Sequence, residues 1–402
     1  MNTAAVIGAG ASGMMAALTA ARSGSRVILF ERQERPGRKL LATGNGRCNL
    51  TNTLASPENY HSEQKGFCDK VLAAFTPGDT LAFFHSLGLL TVEEYGGRVY
   101  PLSDSANSVA DVLRFALERS GVELRTASCI DSLQRTKSGF RLSWNAGSLE
   151  ADQVIVACGG AAGAKLGGVS DGYELLKSLG HRRTKLYPSL VRLTTDTDYP
   201  RALKGVRADC RIRLSLCSHP VAESCGELQF TDNGISGPAA FDISRAAAVS
   251  GEGCEVTVDF LRNYSEQEVT ALLKMRRDSL PELECGQLFT GMLHNRLGRM
   301  LVKYAALPAA TALSALTDAQ LAAAANAAKN FSLKLLGTGG FDGAQVTAGG
   351  VQLSGFDPDT LQSRLCPGLF ACGEVLDVDG DCGGYNLQWA WASGYVAGRL
   401  GK

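Results

Sequence analysis

The opening of the chain constrains its fold more than any other segment. TAAVI at 3–7 is a short apolar run, and Gly8-Ala9-Gly10-Ala11-Ser12-Gly13 follows at once. Met14 to Arg22 is alanine-rich and reads as a helix ended by Ser23 and Gly24; Arg26 to Phe30 is a second buried strand, closed by Glu31. Strand, glycine turn, helix and strand with such short connections make a β-α-β unit, the start of a parallel sheet. Gly8 permits the tight turn, Gly10 lets the backbone approach a pyrophosphate, and Gly13 lets the helix pack on the strand. The helix start offers unpaired N–H groups and a positive dipole end to phosphates. Glu31 stands where a ribose hydroxyl can donate to it.

A carboxylate at that position repels a 2′-phosphate, so the fingerprint fits NAD or FAD and disfavours NADP. Its place at the extreme N-terminus, with a matching strand near the C-terminus, favours FAD. So does the lack of a second GxGxxG unit. Gly159 and Gly160 do follow the strand Val154 to Ala157, but GGAAGAKLGG lacks the fingerprint and its downstream acid. NAD(P)H therefore has no Rossmann site of its own and is expected only as a transient hydride donor.

Charge removes several partner classes. Forty Lys and Arg balance forty Asp and Glu, so nothing electrostatic calls for nucleic acid or an anionic membrane. No basic start leads into an apolar run with a cleavage site, and no apolar stretch approaches the ~20 residues that span a bilayer. A soluble, cytoplasmic protein is expected. The 12 cysteines contain no CxxC pair, which argues for free thiols and against zinc ribbons, dithiol motifs and the common iron–sulfur patterns. Asp377, Asp379 and Asp381 in DVDGDCGG imitate a calcium loop. Cys382 stands at its glycine position and Gln388 at its bidentate glutamate, so no metal is expected.

At 402 residues the chain should hold two or three domains. Its character changes near Pro188. Leu190 to Leu193, Arg211 to Leu216, Glu227 to Phe230 and Glu255 to Phe260 read as short alternating strands. Ser265 with Glu268 and Thr317 with Gln320 form capping boxes of a mostly helical stretch. The expected organisation is a first part of the cofactor domain at 1–188, a β-rich substrate domain at 189–262, helices at 263–328, return strands at 329–350 and the rest of the cofactor domain at 351–402. The last helix, from about Asn386, is full of small residues that let a backbone lie close to its neighbour.

Several motifs then converge. GAGASG at 8–13, GRKLLATGNGRCNLTN at 37–52, SDGYELL at 170–176, FTDNGISGPAAFDISR at 230–245, TAGGV at 347–351 and GEVLDVDGDCGGYNLQWAWASG at 373–394 span nearly the whole chain. With them the sequence resembles the FAD-dependent flavoproteins that include the bile-acid-inducible reductase BaiN and the aminoacetone oxidases. The resemblance implies an α/β fold: a Rossmann-like FAD-binding domain of the glutathione-reductase kind, built from both chain ends, with inserted β-barrel-like and helical subdomains. It places Ala11 and Ser12 at the pyrophosphate, Glu31 with its neighbour Arg32 at the adenosine ribose, and Ile130 beside the adenine. Arg38, Lys39 and the Gly46-Arg47-Cys48 turn lie along the cofactor, with Gly159 in the same set. Gly373 and Glu374 fall near the ribityl and pyrophosphate; Gly384, Tyr385, Asn386 and Leu387 face the flavin ring. Many such proteins carry aspartate where Glu374 stands.

Independently of the resemblance, GGYN opens a helix whose N–H groups can stabilise negative charge on a reduced flavin. Tyr385 is the one candidate catalytic residue, either as a proton donor or as a ring packed on the flavin. Cys48 and Cys382 are either redox-active or simply small buried residues. The five histidines fall outside every motif. The reading that follows is an FAD-dependent oxidoreductase using NAD(P)H to reduce an activated C=C bond, such as that of 3-oxo-4-ene or 4,6-diene bile acids. The alternatives are an oxidase of a small amine such as aminoacetone, and a flavin-based redox sensor or RNA-modifying protein. The partner in the first reading is a small molecule, possibly a steroid; oligomeric state is not readable.

Overall fold

The computed structural model describes residues 2–402. They divide into two compact units, one made of the chain up to Tyr187 with Gln345–Lys402, the other of Pro188–Ala344.

The first unit opens with β1 (Thr3–Ile7), α1 (Ala11–Arg22) and β2 (Arg26–Phe30). The two strands pair in parallel, Thr3 opposite Arg26 and Ile7 opposite Phe30. Past their first residues both strands are wholly buried, as a sheet covered on both faces requires. Then come α2 (Arg38–Ala42), β3 (Thr51–Asn52), β4 (Tyr60–His61), α3 (Phe67–Ala74), α4 (Pro77–Ser86), β5 (Thr91–Glu94), β6 (Arg98–Pro101) and α5 (Ala106–Arg119). β7 (Glu123–Arg125) adds to β2; β8 (Ile130–Arg135), β9 (Phe140–Trp144) and β10 (Gly147–Ala151) form an antiparallel meander; β11 (Gln153–Val156) lies beside β1. α6 (Asp171–Ser178) follows, and β12 (Tyr187–Ser189) carries the chain out of the unit.

In the second unit β13 (Leu193–Thr195), β14 (Arg207–Leu216), β15 (His219–Thr231), β16 (Gly234–Ser236), β17 (Cys254–Asp259) and β18 (Phe331–Thr338) close into a barrel, ordered β13-β16-β15-β14-β17-β18. The helices are α7 (Pro238–Ser250), α8 (Glu266–Ser279), α9 (Asn295–Tyr304), α10 (Asp318–Lys329) and the short α11 (Gly340–Gly343). Both capping boxes form: Ser265 Oγ accepts from Glu268 N, and Thr317 Oγ1 from Gln320 N. Barrel residues Ile212, Phe230, Val256 and Phe331 share one core with helix residues Leu273, Leu301 and Leu321, so strands and helices make a single unit.

Two strand expectations need correction. Leu190 to Leu193 is not a strand: Leu190 has φ of 49°, a left-handed backbone that breaks extension, and β13 begins only at Leu193. The segment 227–230 is the inner end of β15, a 13-residue strand paired with the ten-residue β14. Its outer half is largely exposed, so it lacked an apolar alternation to announce it.

The chain returns at Gln345, ahead of the expected 350/351, because this segment's backbone belongs to the first unit. Thr184 N donates to Gly350 O, Val351 N to Val375 O, and Gln352 N to Arg182 O. β19 (Val346–Ala348), β20 (Leu369–Ala371), β21 (Asp379–Gly380) and α12 (Tyr385–Gly398) complete the unit. β20 pairs in parallel with β11, giving the five-stranded order β20-β11-β1-β2-β7. α12 lies directly on α1: a Cβ added at Gly394 would stand 2.4 Å from Ser12 O, and one at Gly398 2.6 Å from Ala16 O. Only glycine permits that approach, and the small-residue stripe has no other spacing to offer.

Candidate active site

The three fingerprint glycines meet different surroundings. A Cβ at Gly8 would stand 2.5 Å from Ala157 O, and one at Gly13 1.8 Å from Gly8 O, whereas one at Gly10 would meet nothing within 4 Å. Gly8 and Gly13 thus serve packing, and Gly10 faces open space at the head of α1. The helix ladder starts with Met14 N donating to Gly10 O at 3.0 Å, so the N–H groups of Ala11, Ser12 and Gly13 come before it. Glu31 Oε2 accepts from Ala9 N at 3.0 Å and Oε1 from Gln33 N at 2.8 Å. The carboxylate is pinned to the glycine turn, and each oxygen keeps a second lone pair for a hydroxyl donor. Arg32 pairs with Asp171 at 2.7 Å. Ile130 is buried at the start of β8, and Gly159 and Gly46, like Gly10, have open space where a Cβ would be.

The three loop cations are not a free phosphate lining. Lys39 Nζ is 2.6 Å from Glu374 Oε2, and Glu374 Oε1 accepts from Thr347 N at 2.9 Å. This ties the early loop to the returning chain. Arg38 donates to Gln33 Oε1 at 3.1 Å. Arg47 pairs with Glu94 at 2.5 Å and with Asp104, and its guanidinium lies 4.0 Å over the Tyr100 ring. Arg47, expected along the cofactor, is thus paired with two carboxylates. Next to it Cys48 is buried with φ of 63°. Burial pushes its thiol up to about 12, so it stays neutral, the wrong state for thiolate chemistry.

At the other end Gly384, in left-handed conformation, caps α12, and Gln388 N is the first amide bonded back to it. Tyr385, Asn386 and Leu387 form the first turn. The Asn386 side chain clamps the preceding bend: Oδ1 accepts from Gly380 N at 2.9 Å, while Nδ2 donates to Gly380 O at 2.8 Å and Asp381 O at 3.3 Å. Tyr60 Oη donates to Tyr385 O at 3.0 Å, and the two rings meet edge to face at 6.3 Å. Further along, Gln388 is fully buried and accepts from Thr51 and Thr80 while donating to Phe75 O. Gly373 is held from α12 too: its N–H donates to Ser393 Oγ, and its carbonyl accepts from Trp389 Nε1.

The structure adds three residues that the sequence did not single out. His61 Nε2 is 2.8 Å from Asp381 Oδ1, whose other oxygen accepts from Asn59 Nδ2. Arg98 lies against the glycine pair, its Nε 3.3 Å from where a Gly383 Cβ would be. Among the described residues its side chain has no hydrogen bond or ion pair, unlike that of Arg47. Tyr173 is buried, and its hydroxyl has no hydrogen-bond partner among the described residues. Asp377 accepts from Glu63 N and Thr184 Oγ1, away from the partners of Asp381. Among the described residues no group of three or more His, Cys, Asp or Glu is placed to hold a metal ion.

Open space at Gly10, unpaired N–H groups at α1 and a pinned ribose acceptor at Glu31 fit the ADP part of FAD. Residues 2–400 match the family described as HI0933-like protein Rossmann domain. The chain belongs to this family. It is 42% identical over 404 residues to 3-dehydro-bile acid delta(4,6)-reductase of Clostridium scindens, covering 99% of this chain and 98% of the relative. It is 30% identical over 396 residues to the ribosomal RNA dihydrouridine synthase of Escherichia coli, covering 98% and 97%. Among solved structures, the 3-ketosteroid delta1-dehydrogenase of Sterolibacterium denitrificans is similar in fold, with a TM-score of 0.50, 13% identity and 99% of both chains covered. This HI0933-like protein is thus a flavoenzyme with a Rossmann-type FAD-binding unit, and an oxidoreductase. None of its described helices is long and apolar enough to cross a membrane.

Proposed function

We propose that this protein reduces a C=C bond conjugated to a carbonyl, with a 3-oxo-4-ene or 4,6-diene steroid of the bile-acid type as acceptor and NAD(P)H as donor. The observation that carries the reading is the full-length relationship to a reductase of that substrate class. The second relative's name describes the same reaction type, since dihydrouridine is uridine with its carbonyl-conjugated C=C saturated. That kinship makes uridine in RNA the second reading, against which the balanced charge weighs.

The residues divide by task. The first turn of α1, with Ala11 and Ser12, would hold the pyrophosphate, Glu31 the ribose, and the first turn of α12, from Tyr385 to Leu387, the flavin ring. Bound there, FAD supplies two-electron hydride chemistry. The α12 N-terminus favours negative charge beside it. Arg98, unpaired and lying against Gly383, polarises the acceptor's carbonyl and steadies the negative charge that develops on its oxygen. Asn386 and Gln388 fix the geometry of this end of the helix.

The test uses the purified protein without oxygen. NADH or NADPH should bleach the flavin, and a 3-oxo-4-ene steroid should restore its oxidised spectrum. Arg98→Met should slow the second step ~10²-fold and leave the first unchanged. Peroxide formed with aminoacetone, or reoxidation by uridine-containing RNA but not by steroid, would overturn the proposal.

A further inference from the structure

An enone reduction needs a proton as well as a hydride, and Tyr385 has its backbone carbonyl and ring engaged by Tyr60. A second candidate acid, His61, adjoins Tyr60 in the chain. β4 and β21 pair antiparallel, with His61 opposite Asp379 and Tyr60 opposite Gly380. The register sets the His61 ring against the next residue, Asp381, at 2.8 Å. Asp381 is fixed on all sides: its N–H donates to Asn59 O, its Oδ2 accepts from Asn59 Nδ2, and its carbonyl accepts from Asn386 Nδ2. Two residues on, Gly383 and Gly384 open α12. The dyad is thereby built into the bend that leads to the helix end assigned to the flavin ring, and Tyr60 joins it to Tyr385.

From this geometry we infer that His61 is the proton donor of the reductive reaction and that Asp381 is its positioning residue. The inference rests on the enone-reductase reading. Hydride from the reduced cofactor adds to the β-carbon of the acceptor. The π pair shifts to the carbonyl side as an enolate, and the imidazolium gives its Nδ1 proton to the α-carbon. The product has gained one hydride and one proton, the cofactor has lost two electrons, and the ring is left neutral. Nε2 keeps its hydrogen bond to Asp381 throughout, which orients the ring and fixes its tautomer once Nδ1 has given up its proton. The His61 side chain is 39% exposed and that of Asp381 35%, so water can return the proton after each turnover. A buried structural pair would lack that access.

The test compares half-reactions in the FAD-loaded protein. His61→Gln should bind FAD and be bleached by NAD(P)H at the wild-type rate, but its anaerobic reoxidation by a 3-oxo-4-ene steroid should slow ~10²–10⁴-fold. Asp381→Asn, which keeps the Asn59 contact, should slow the same step by a smaller factor of about 10. A readout independent of turnover is the 15N spectrum of the apoprotein, where Asp381→Asn should move the His61 imidazole signals and leave the other four histidines in place. Reoxidation of His61→Gln at the wild-type rate, or equal loss of both half-reactions and of FAD affinity, overturns the dyad. Failure of the wild-type protein to be reoxidised by any such enone overturns the functional reading, and the dyad's role with it.

Discussion

Gly10 and Gly13 should respond oppositely to the same added methyl group. At Gly10 the backbone is extended, with φ of −79° and ψ of −170°, which alanine adopts freely. Its Cβ would meet nothing within 4 Å. Gly10→Ala should therefore leave the apoprotein as stable as before, or about 0.4–1 kcal/mol more stable through a less flexible unfolded chain. The methyl would instead occupy the approach to the pyrophosphate. Losing one N–H bond to a charged phosphate costs about 1.5–3 kcal/mol, so the FAD Kd should rise ~10–100-fold. At Gly13 the Cβ would stand 1.8 Å from Gly8 O, and α1 would have to retreat about 1.6 Å to reach an ordinary 3.4 Å contact. Overpacking on that scale costs about 1–3 kcal/mol or more, and the apoprotein should melt earlier. Thermal melts followed by circular dichroism on stripped protein, with FAD titrated by quenching of its fluorescence, separate the two effects. Wild-type FAD affinity in Gly10→Ala, or an apoprotein melt as low as that of Gly13→Ala, would refute the assignment of space at the turn.

Glu374→Gln removes the charge from a partly buried pair with Lys39 and should lower apoprotein stability by about 1 kcal/mol, read from urea midpoints; an unchanged midpoint would deny the tie between loop and returning chain. Burial pushes the Cys48 and Cys372 thiols up to about 12 from 9.0. Each protonated thiol thus favours the fold fully below pH ~9, and its contribution falls as pH rises towards about 12, by roughly 1.4 kcal/mol per pH unit. A Cys48→Ala, Cys372→Ala double variant should lose less stability than wild type between pH 8 and 10.5. Tyr173→Phe deletes a buried hydroxyl without a hydrogen-bond partner and should be neutral or stabilising by about 1 kcal/mol in the apoprotein; destabilisation by ~2 kcal/mol or more would reveal a partner for that group.

Local signals made the first unit readable. The fingerprint from Thr3 to Glu31 is contiguous, so its spacing alone specifies strand, turn, helix and acceptor. The capping boxes at Ser265 and Thr317 span four residues each and are equally local. What escaped depends on distant pairings. His61 and Asp381 are 320 residues apart, and only the two-residue pairing of β4 with β21 brings them together. Arg98 and Gly383 meet for a similar reason, through the contact of Asn52 with both Gly96 O and Gly383 O. The partners of Arg47 were equally hidden: Glu94 and Asp104, which pair with it, lie 47 and 57 residues further along the chain. The outer half of β15 failed for want of burial, since a strand exposed on one end carries no apolar rhythm.

The seating of α12 on α1 bears on how the protein is made. The strand β20, the Gly373 turn and α12 are synthesised after the inserted unit, and α12 is the surface that closes over Met15 and Ala16 of α1. The inserted unit, complete in its own core by Ala344, can collapse while the opening β-α-β segment still waits for its partner. Cofactor capture is thereby deferred until α12 has been made, and a chain cut short before Gly394 should emerge with a folded barrel and no grip on FAD.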